Sequence, residues 1–495
     1  MGLSRILMAP TIFLTIFSLL FISADTHEEG FISVEVSDVG LEFVKDLLIN
    51  KAISSLTPLE LPPIEKSKKI PVVGNVHMNL TNITIYEVSV SSSSVKTGVR
   101  GLDIVALNAT ANINMNWRYS YRTWLVPVEI TDKGNASVQV EGMQLGLIVG
   151  LKNQQGTLRL SVVECNCRVG DISIDLDGGA SWLYQTVVDA FEGKLKSAVQ
   201  DAFSEKLREQ IKKFDALLRK LPKQIRLTRI ATLNVTLVND IVLGKSSIDF
   251  DINGLFIPTT VAAVSKYHRI KSESLESCTN FTKMAGLSIR EDVINSALEV
   301  YFNANTMHWT IDKFMDQSFL NTAGWMYFVP ELYRQYPNDD MTLHFAISSP
   351  PRTKISEGHI DITMHSDLNI SVLDDGQPIP VACLSQEMTA SGSVGIIGNN
   401  VTASVQLDDF TLSLKWSKVG ELKLSLIQVA ISRILNNIIV PLLNFYLERG
   451  YQLPTIHGMM FQDAEILCTN STIMICSDVA FPKWHHTNLL SIFYQ

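Results

Sequence analysis

The sequence predicts an α+β protein built from two similar modules in tandem. Three observations carry this. An apolar helix, a field of strands and a long amphipathic helix recur in that order; the strand segments alternate with period two; and each long helical segment keeps one apolar stripe. The helices of the first round span residues 40–55 and 181–220, and those of the second span 288–303 and 420–450. Their starts are offset by 248 and 239 positions (288 − 40 and 420 − 181), a regular spacing in a chain of 495 residues. A striped helix must have its stripe covered, either by a strand module or by a ligand.

Taken in order, Arg5 precedes an apolar run over 6–22, and the small pair Ser23-Ala24 sits before Asp25. This is a secretory signal peptide pattern, so residues 1–24 are set aside from the fold and an extracellular location is expected. Strands follow wherever apolar and polar residues alternate. Val76-His-Met78-Asn-Leu80, Ile248-Asp-Phe250-Asp-Ile252 and Ile360-Asp-Ile362-Thr-Met364 are examples. At Asp408-Asp409 the phase slips before Phe410, Leu412, Leu414 and Trp416 resume it, as a bulge requires. The first long helix begins after Gly178-Gly179, must stop near Pro222, and at about 1.5 Å per residue runs roughly 55–60 Å. The second ends at Gly450 and should kink at Pro441. These signals divide the chain into an N-terminal domain over 25–255, a linker over 256–277, a C-terminal domain over 278–480 and a tail over 481–495.

The composition, 46% hydrophobic and 18% charged, supports real cores, and a mean hydropathy of +0.16 is high for a secreted chain. The net charge of −9 is uneven. Residues 25–250 hold 25 basic and 26 acidic groups, whereas 251–495 hold 15 and 24. Six cysteines in an oxidising compartment should pair. Cys468 and Cys476 flank a polar turn between two apolar strands and are expected to pair; Cys165, Cys167, Cys278 and Cys383 are left without assigned partners. Nine sequons, at Asn79, Asn82, Asn108, Asn135, Asn234, Asn280, Asn369, Asn400 and Asn470, predict a glycoprotein whose surface they mark.

There is no Gly-x-Ser-x-Gly elbow, no His-Glu-x-x-His and no phosphate loop, so no enzyme, cofactor or metal is expected. His359, Asp361 and His365 share a strand face, but Ile360, Ile362 and Met364 take the buried side and leave the polar one to solvent. His485-His486 lies in the tail and carries as little.

Several segments resemble one family. Phe319-Leu-Asn-Thr-Ala-Gly324, the stretch from Pro337-Asn338 to Ser348-Ser-Pro-Pro351, Pro441-Leu-Leu-Asn444 and Gly450-Tyr-Gln-Leu-Pro454 stand in the second half. Gly30-Phe31, Gly40-Leu41 and Ser181-Trp182-Leu183 stand in the first. Their order is similar to that of the bactericidal/permeability-increasing and lipopolysaccharide-binding proteins, relatives of the phospholipid and cholesteryl ester transfer proteins, with a texture like the plant branch.

The resemblance implies an elongated pseudo-twofold boomerang of two antiparallel β-barrels, each wrapped by a long helix and joined by a central β-sheet. It implies a monomer that binds lipopolysaccharide or phospholipid in innate defence, with no nucleic acid partner; extracellular lipid shuttling without immune recognition is the alternative. Acyl chains would lie against Phe43, Leu47, Phe191, Leu195, Ile294, Leu298, Ile431 and Leu435. Anionic head groups would meet a tip formed by Trp117, Arg118, Tyr121, Arg122 and Trp124, with Lys66, Lys68 and Lys69 on a second basic loop. The chain departs from the family at one bridge. Cys165 matches a cysteine that animal members pair with one in the long helix, but the positions around Phe203 and Ser204 offer no thiol.

Overall fold

The computed structural model describes residues 29–71, 73–122, 128–178, 181–259, 278, 282–313, 317–452 and 460–480. The expected signal peptide, Trp124, Asn280, the linker beyond residue 259 apart from its neighbour Cys278, and the tail lie outside the described residues.

Strand β1 (Ile32–Ser37) leads into helix α1 (Asp38–Leu56), whose first turn is capped where the Gly40 N–H donates to Ser37 Oγ at 3.3 Å. Strands β2 (Leu59–Leu61), β3 (Ile64–Ile70), β4 (Gly74–Gly98), β5 (Gly101–Tyr121), β6 (Ile130–Gln154), β7 (Thr157–Arg168) and β8 (Asp171–Asp177) form one antiparallel sheet. Its order is β2-β4-β5-β6-β7, with β3 on β4 and β8 on β6. Period two decides its faces. Along β5, Ala111, Ile113, Met115, Trp117 and Tyr119 point inward while Arg118 points out. Helix α2 (Ser181–Leu218) lies along this sheet, and its stripe residues Phe191, Leu195, Val199 and Phe203 are at most 1% exposed. Full burial stabilises such side chains by roughly 1.5–3 kcal/mol each.

The far end of α2 is pinned by charge. Asp215, 4% exposed, accepts from Arg159 Nε at 2.9 Å, from the Leu160 N–H at 3.0 Å and from Arg219 Nε at 2.9 Å. Burial pushes its carboxyl up, but these bonds outweigh burial and hold the pKa at about 2 against an ordinary 3.8.

Short strands β9 (Gln224–Arg226), β10 (Ala231–Asn234), β11 (Val242–Leu243), β12 (Ser247–Ile252) and β13 (Phe256–Pro258) follow. The start of the expected linker is therefore a strand, because β13 pairs with β10. Next come β14 (Ala285–Arg290), α3 (Glu291–Asn303), β15 (His308–Ile311), the short α4 (Pro330–Gln335), β16 (Met341–Ile347), β17 (Arg352–Ser356), β18 (His359–Asp374), β19 (Gln377–Ile397) and β20 (Asn400–Ser417). Helix α3 starts later than its apolar pattern suggests, since Ser288 and Ile289 are held in β14 by pairing with β1 and with the last strand. The phase slip at Asp408-Asp409 is a β-bulge: Thr389 faces Asp409, and its neighbour Ala390 faces Leu407.

The second long helix is three pieces: α5 (Leu424–Ile434), a π-helical turn over Leu435–Ile439, and α6 (Val440–Glu448). Pro441 has no N–H to donate back along the helix, and the wider turn just before it accommodates the loss. Strands β21 (Tyr451–Gln452), β22 (Met460–Thr469) and β23 (Thr472–Ala480) close the chain. The second large sheet runs β15-β16-β18-β19-β20-β21 with β17 on β18. Between the modules lies a six-stranded sheet, β11-β12-β1-β14-β23-β22, to which both halves contribute.

One pairing differs from expectation. Cys476 is bonded to Cys278, across 198 residues, and not to Cys468. The β22–β23 register is the reason. It sets Cys468 opposite Ile473 and Cys476 opposite Glu465, while β14 brings Gly286 beside Cys476. Gly286 leaves room for the bridge, because a Cβ there would stand 2.8 Å from Cys278 Sγ. Cys165, Cys167, Cys383 and Cys468 are thiols; burial pushes that of Cys167 up to about 12, and Cys165 Sγ lies 3.8 Å from the Ser204 carbonyl oxygen.

Replacing Cys278 and Cys476 by serine should lower stability by about 2–4 kcal/mol in denaturant unfolding, whereas Cys468→Ser should cost less than about 1 kcal/mol. The Asp215 shift has a defined sign. A depressed folded pKa means stability that is present above about pH 4 and is lost as pH falls through about 2, worth up to about 2 kcal/mol. Asp215→Asn should therefore flatten the acid limb of a stability-against-pH curve while lowering its neutral plateau.

Candidate lipid cavity and basic surface

Beyond its short pairing with β21 at Asn400 and Val401, β20 is an edge of the second sheet, and from Val405 to Phe410 it has a neighbouring strand on one side only, among the described residues. An edge leaves backbone groups unpaired, and here the helix supplies partners. Asn444 Nδ2 donates to the Val405 carbonyl at 3.0 Å, and Asn444 Oδ1 accepts from the Val405 N–H at 2.8 Å. One helical stretch away, Gln428 Nε2 donates to the Phe410 carbonyl at 2.8 Å. The helix is thereby tied beside the sheet with its apolar face turned over the sheet's concave side.

Between them lies a cavity of about 1040 Å³. The sheet contributes Phe345, Ile362, Met364, Met388 and Leu407, and the helix contributes Ile427, Ala430, Ile431, Ile434 and Leu435. Gln386 is the one amide among the described lining residues, and its Oε1 accepts from buried Ser366 at 3.0 Å. Among the described lining residues there is no carboxylate, histidine, cysteine, lysine or arginine, and the surface is suited to hydrocarbon.

Among the expected pocket residues, Ile431 and Leu435 line this cavity. The others are placed elsewhere. Phe191 and Leu195 are corrected to core positions, sealed against the first sheet. Ile294 packs beside Ile355 and Ile473, and Leu298, Phe43 and Leu47 are half-buried on their own helices. Core and pocket residues share one chemistry, so the helical stripe could not separate them. Trp309, Phe319, Leu442, Leu443 and Tyr446 also line the cavity and were missed as site residues, although Leu442 stands in the helix stripe.

The expected basic tip splits in two. Trp117 is corrected to the core: it is 4% exposed, donates from Nε1 to the Asn135 carbonyl at 2.9 Å, and stacks on Tyr119, which stacks on Tyr121. Lys66 and Lys68 share the face of β3 that carries Ile64, yet both are exposed, and Lys66 Nζ donates to the Ala190 carbonyl on α2 at 2.8 Å. Lys69 and Arg118 stand on the outer face, as register shows. There Arg118 is paired across the strands with Lys133, a basic residue the sequence reading missed. Beside Arg118 a small pocket of about 200 Å³ includes Ser67 and His77, joined at 2.7 Å. Arg122 is exposed and pairs with Glu129 at 3.6 Å.

The family model described as the LBP / BPI / CETP family, N-terminal domain, matches residues 40–221, and that family's C-terminal domain matches residues 226–481. A BPI/LBP family protein of Arabidopsis thaliana is 47% identical over 480 residues, covering 96% of this chain and 98% of the relative. The chain belongs to the LBP/BPI/CETP family. Among its animal members, the bactericidal permeability-increasing protein of Sebastes schlegelii is 24% identical over 91% of this chain and 95% of its own length. The lipopolysaccharide-binding protein of Bos taurus is 22% identical over 87% and 89%. A crystal structure of lipopolysaccharide binding protein, 19% identical, has the same fold with a TM-score of 0.62, covering 92% of this chain and 100% of that one. The two LBP/BPI/CETP domain models meet between residues 221 and 226, upstream of β13. Family and fold are those of lipid-binding and transfer proteins.

Asn444→Ala should leave the Val405 N–H without its partner. Hydrogen exchange at Val405 should quicken at least tenfold, with a stability loss of about 1 kcal/mol, while amides in β5 keep their protection.

Proposed function

We propose that this chain is an extracellular lipid-binding protein that holds a two-chain lipid in the C-terminal cavity and meets lipid phosphates with the outer basic face of β3, β5 and β6. The cavity carries the reading. At about 1040 Å³ it stands at the top of the range of ligand pockets, roughly 300–1,000 Å³, and its apolar lining suits the acyl chains of one two-chain lipid. Each methylene removed from water contributes about 0.8 kcal/mol. Arg118, Lys133 and Arg122 supply forks and charge for a phosphate, and lipopolysaccharide and phospholipids both carry such groups.

The relatives named for lipopolysaccharide binding and for bactericidal permeability increase favour a role in innate defence. Secretion is supported by the apolar run after Arg5 and by sequons placed in the open: Asn82, Asn108, Asn135, Asn400 and Asn470 are exposed, while Asn79, Asn234 and Asn369 are half-buried.

Mass spectrometry of lipids extracted from the purified native protein should find about one two-chain lipid per chain, and Ala430→Trp, which fills the cavity wall, should reduce that yield several-fold. Lipopolysaccharide binding should weaken as salt rises and should fall in the Arg118→Ala/Lys133→Ala variant. A protein that emerges lipid-free, or a lipid yield indifferent to Ala430→Trp, would sink the reading.

A further inference from the structure

The cavity is open along one side, between β15 and α6, and the rim of that opening is apolar. Trp309, Phe319, Leu442, Leu443 and Tyr446 line the cavity and yet are 40–53% exposed. Phe445, 51% exposed, continues the rim beneath the Arg449 guanidinium, which sits 4.3 Å from the Phe445 ring centroid and 5.9 Å from that of Tyr446. The helix behind the rim is long and apolar enough to cross a membrane, and from Leu424 to Leu447 its only charged residue is Arg433. It is not loose, however, because Gln428 and Asn444 fasten it to β20. What it offers to a membrane is therefore a fixed apolar edge, not a spanning segment.

We propose that this rim is a docking surface for the face of a zwitterionic lipid aggregate, and that the cavity's occupant enters and leaves there. The proposal rests on the reading of the cavity as a lipid site. Three observations favour a lipid surface over a protein. A protein face laid across the rim would seal an apolar void of about 1040 Å³ behind it, forfeiting dispersion contacts, whereas acyl chains are fluid enough to fill it from the mouth. Tryptophan, tyrosine and an arginine lying over aromatic rings suit the boundary between head groups and chains. The helix side of the rim carries almost no charge, so its attachment does not require anionic lipid. In this it differs from the basic face of the first module. One chain then has two lipid contacts of opposite physical character, one electrostatic and one apolar.

The test uses the full chain and vesicles of phosphatidylcholine alone. Flotation should carry the parent with the vesicles equally at low and high salt, and Leu442→Glu/Tyr446→Glu should weaken this at least tenfold. If the double variant loses its circular dichroism signature, Trp309→Ser is used in its place and should weaken flotation about threefold or more. Uptake of a short-chain fluorescent phosphatidylcholine, supplied below its micelle concentration, reads the cavity separately. A parent that takes up this monomer but does not float overturns the docking surface and leaves the cavity reading intact; a parent that does neither overturns both. Flotation that survives the rim variants also overturns the proposal. So does a parent dimer that the rim variant dissociates, which assigns the rim to a second copy, or flotation that appears only after residues 481–495 are removed, which assigns the rim to that segment.

Discussion

A long antiparallel sheet that stops at an edge leaves a row of backbone groups without partners, and in the second module that shortage is met by two side chains. Asn444 satisfies both groups of Val405, and Gln428 satisfies the Phe410 carbonyl. Because polar side chains make this seam, the helix needs no apolar contact with the edge itself and can turn its leucines and isoleucines over the trough. The position of the helix fixes the roof of the cavity, the width of its mouth and the exposure of its rim. Had the edge been covered by apolar packing, the same residues would have been spent on the seam.

The two modules repeat one plan but fill it differently. In the first, Phe191, Leu195, Val199 and Phe203 descend from α2 into the sheet and pack it solid. In the second, the corresponding surface meets Ala430 on the helix with Gly324 and Ala390 around it, and space remains. A few aromatic rings in one copy and small residues in the other separate a strut from a container. Charge follows the same division, with the basic outer strands in the first module and an acidic balance in the second.

Much of this was legible in the chain. Period two marked the long strands and the bulge at Asp408-Asp409, and helical stripes marked α1, α2 and the α5–α6 helix nearly to their ends. The illegible parts all depend on which side of an element faces water or on register between distant strands. Alternation put Trp117 opposite Arg118, but not which of the two met solvent, and it could not show that Lys66 reaches the Ala190 carbonyl on α2 while Lys69 stands on the other strand face. Lys133 joins Arg118 only through the β5–β6 ladder. Cys278 meets Cys476 only because β14 and β23 are neighbours in the central sheet, and a local turn motif pointed to Cys468 instead. The stripe on α2 and the stripe on α5 look alike as sequence, and what separates them is the set of residues opposite.

The Cys278–Cys476 bond joins residues just before β14 and near the end of β23, so almost the entire second module lies within one covalent ring. A protease that cuts a single loop inside that ring does not release a piece, because both fragments stay joined through sulfur as well as through the sheet. The half of the molecule that contains the container is thus protected against a first cut, whereas the half with the basic strands has no such bond among the described residues. After one cut the second module is held by sulfur and by its sheet, the first, among the described residues, by its sheet and helix packing alone.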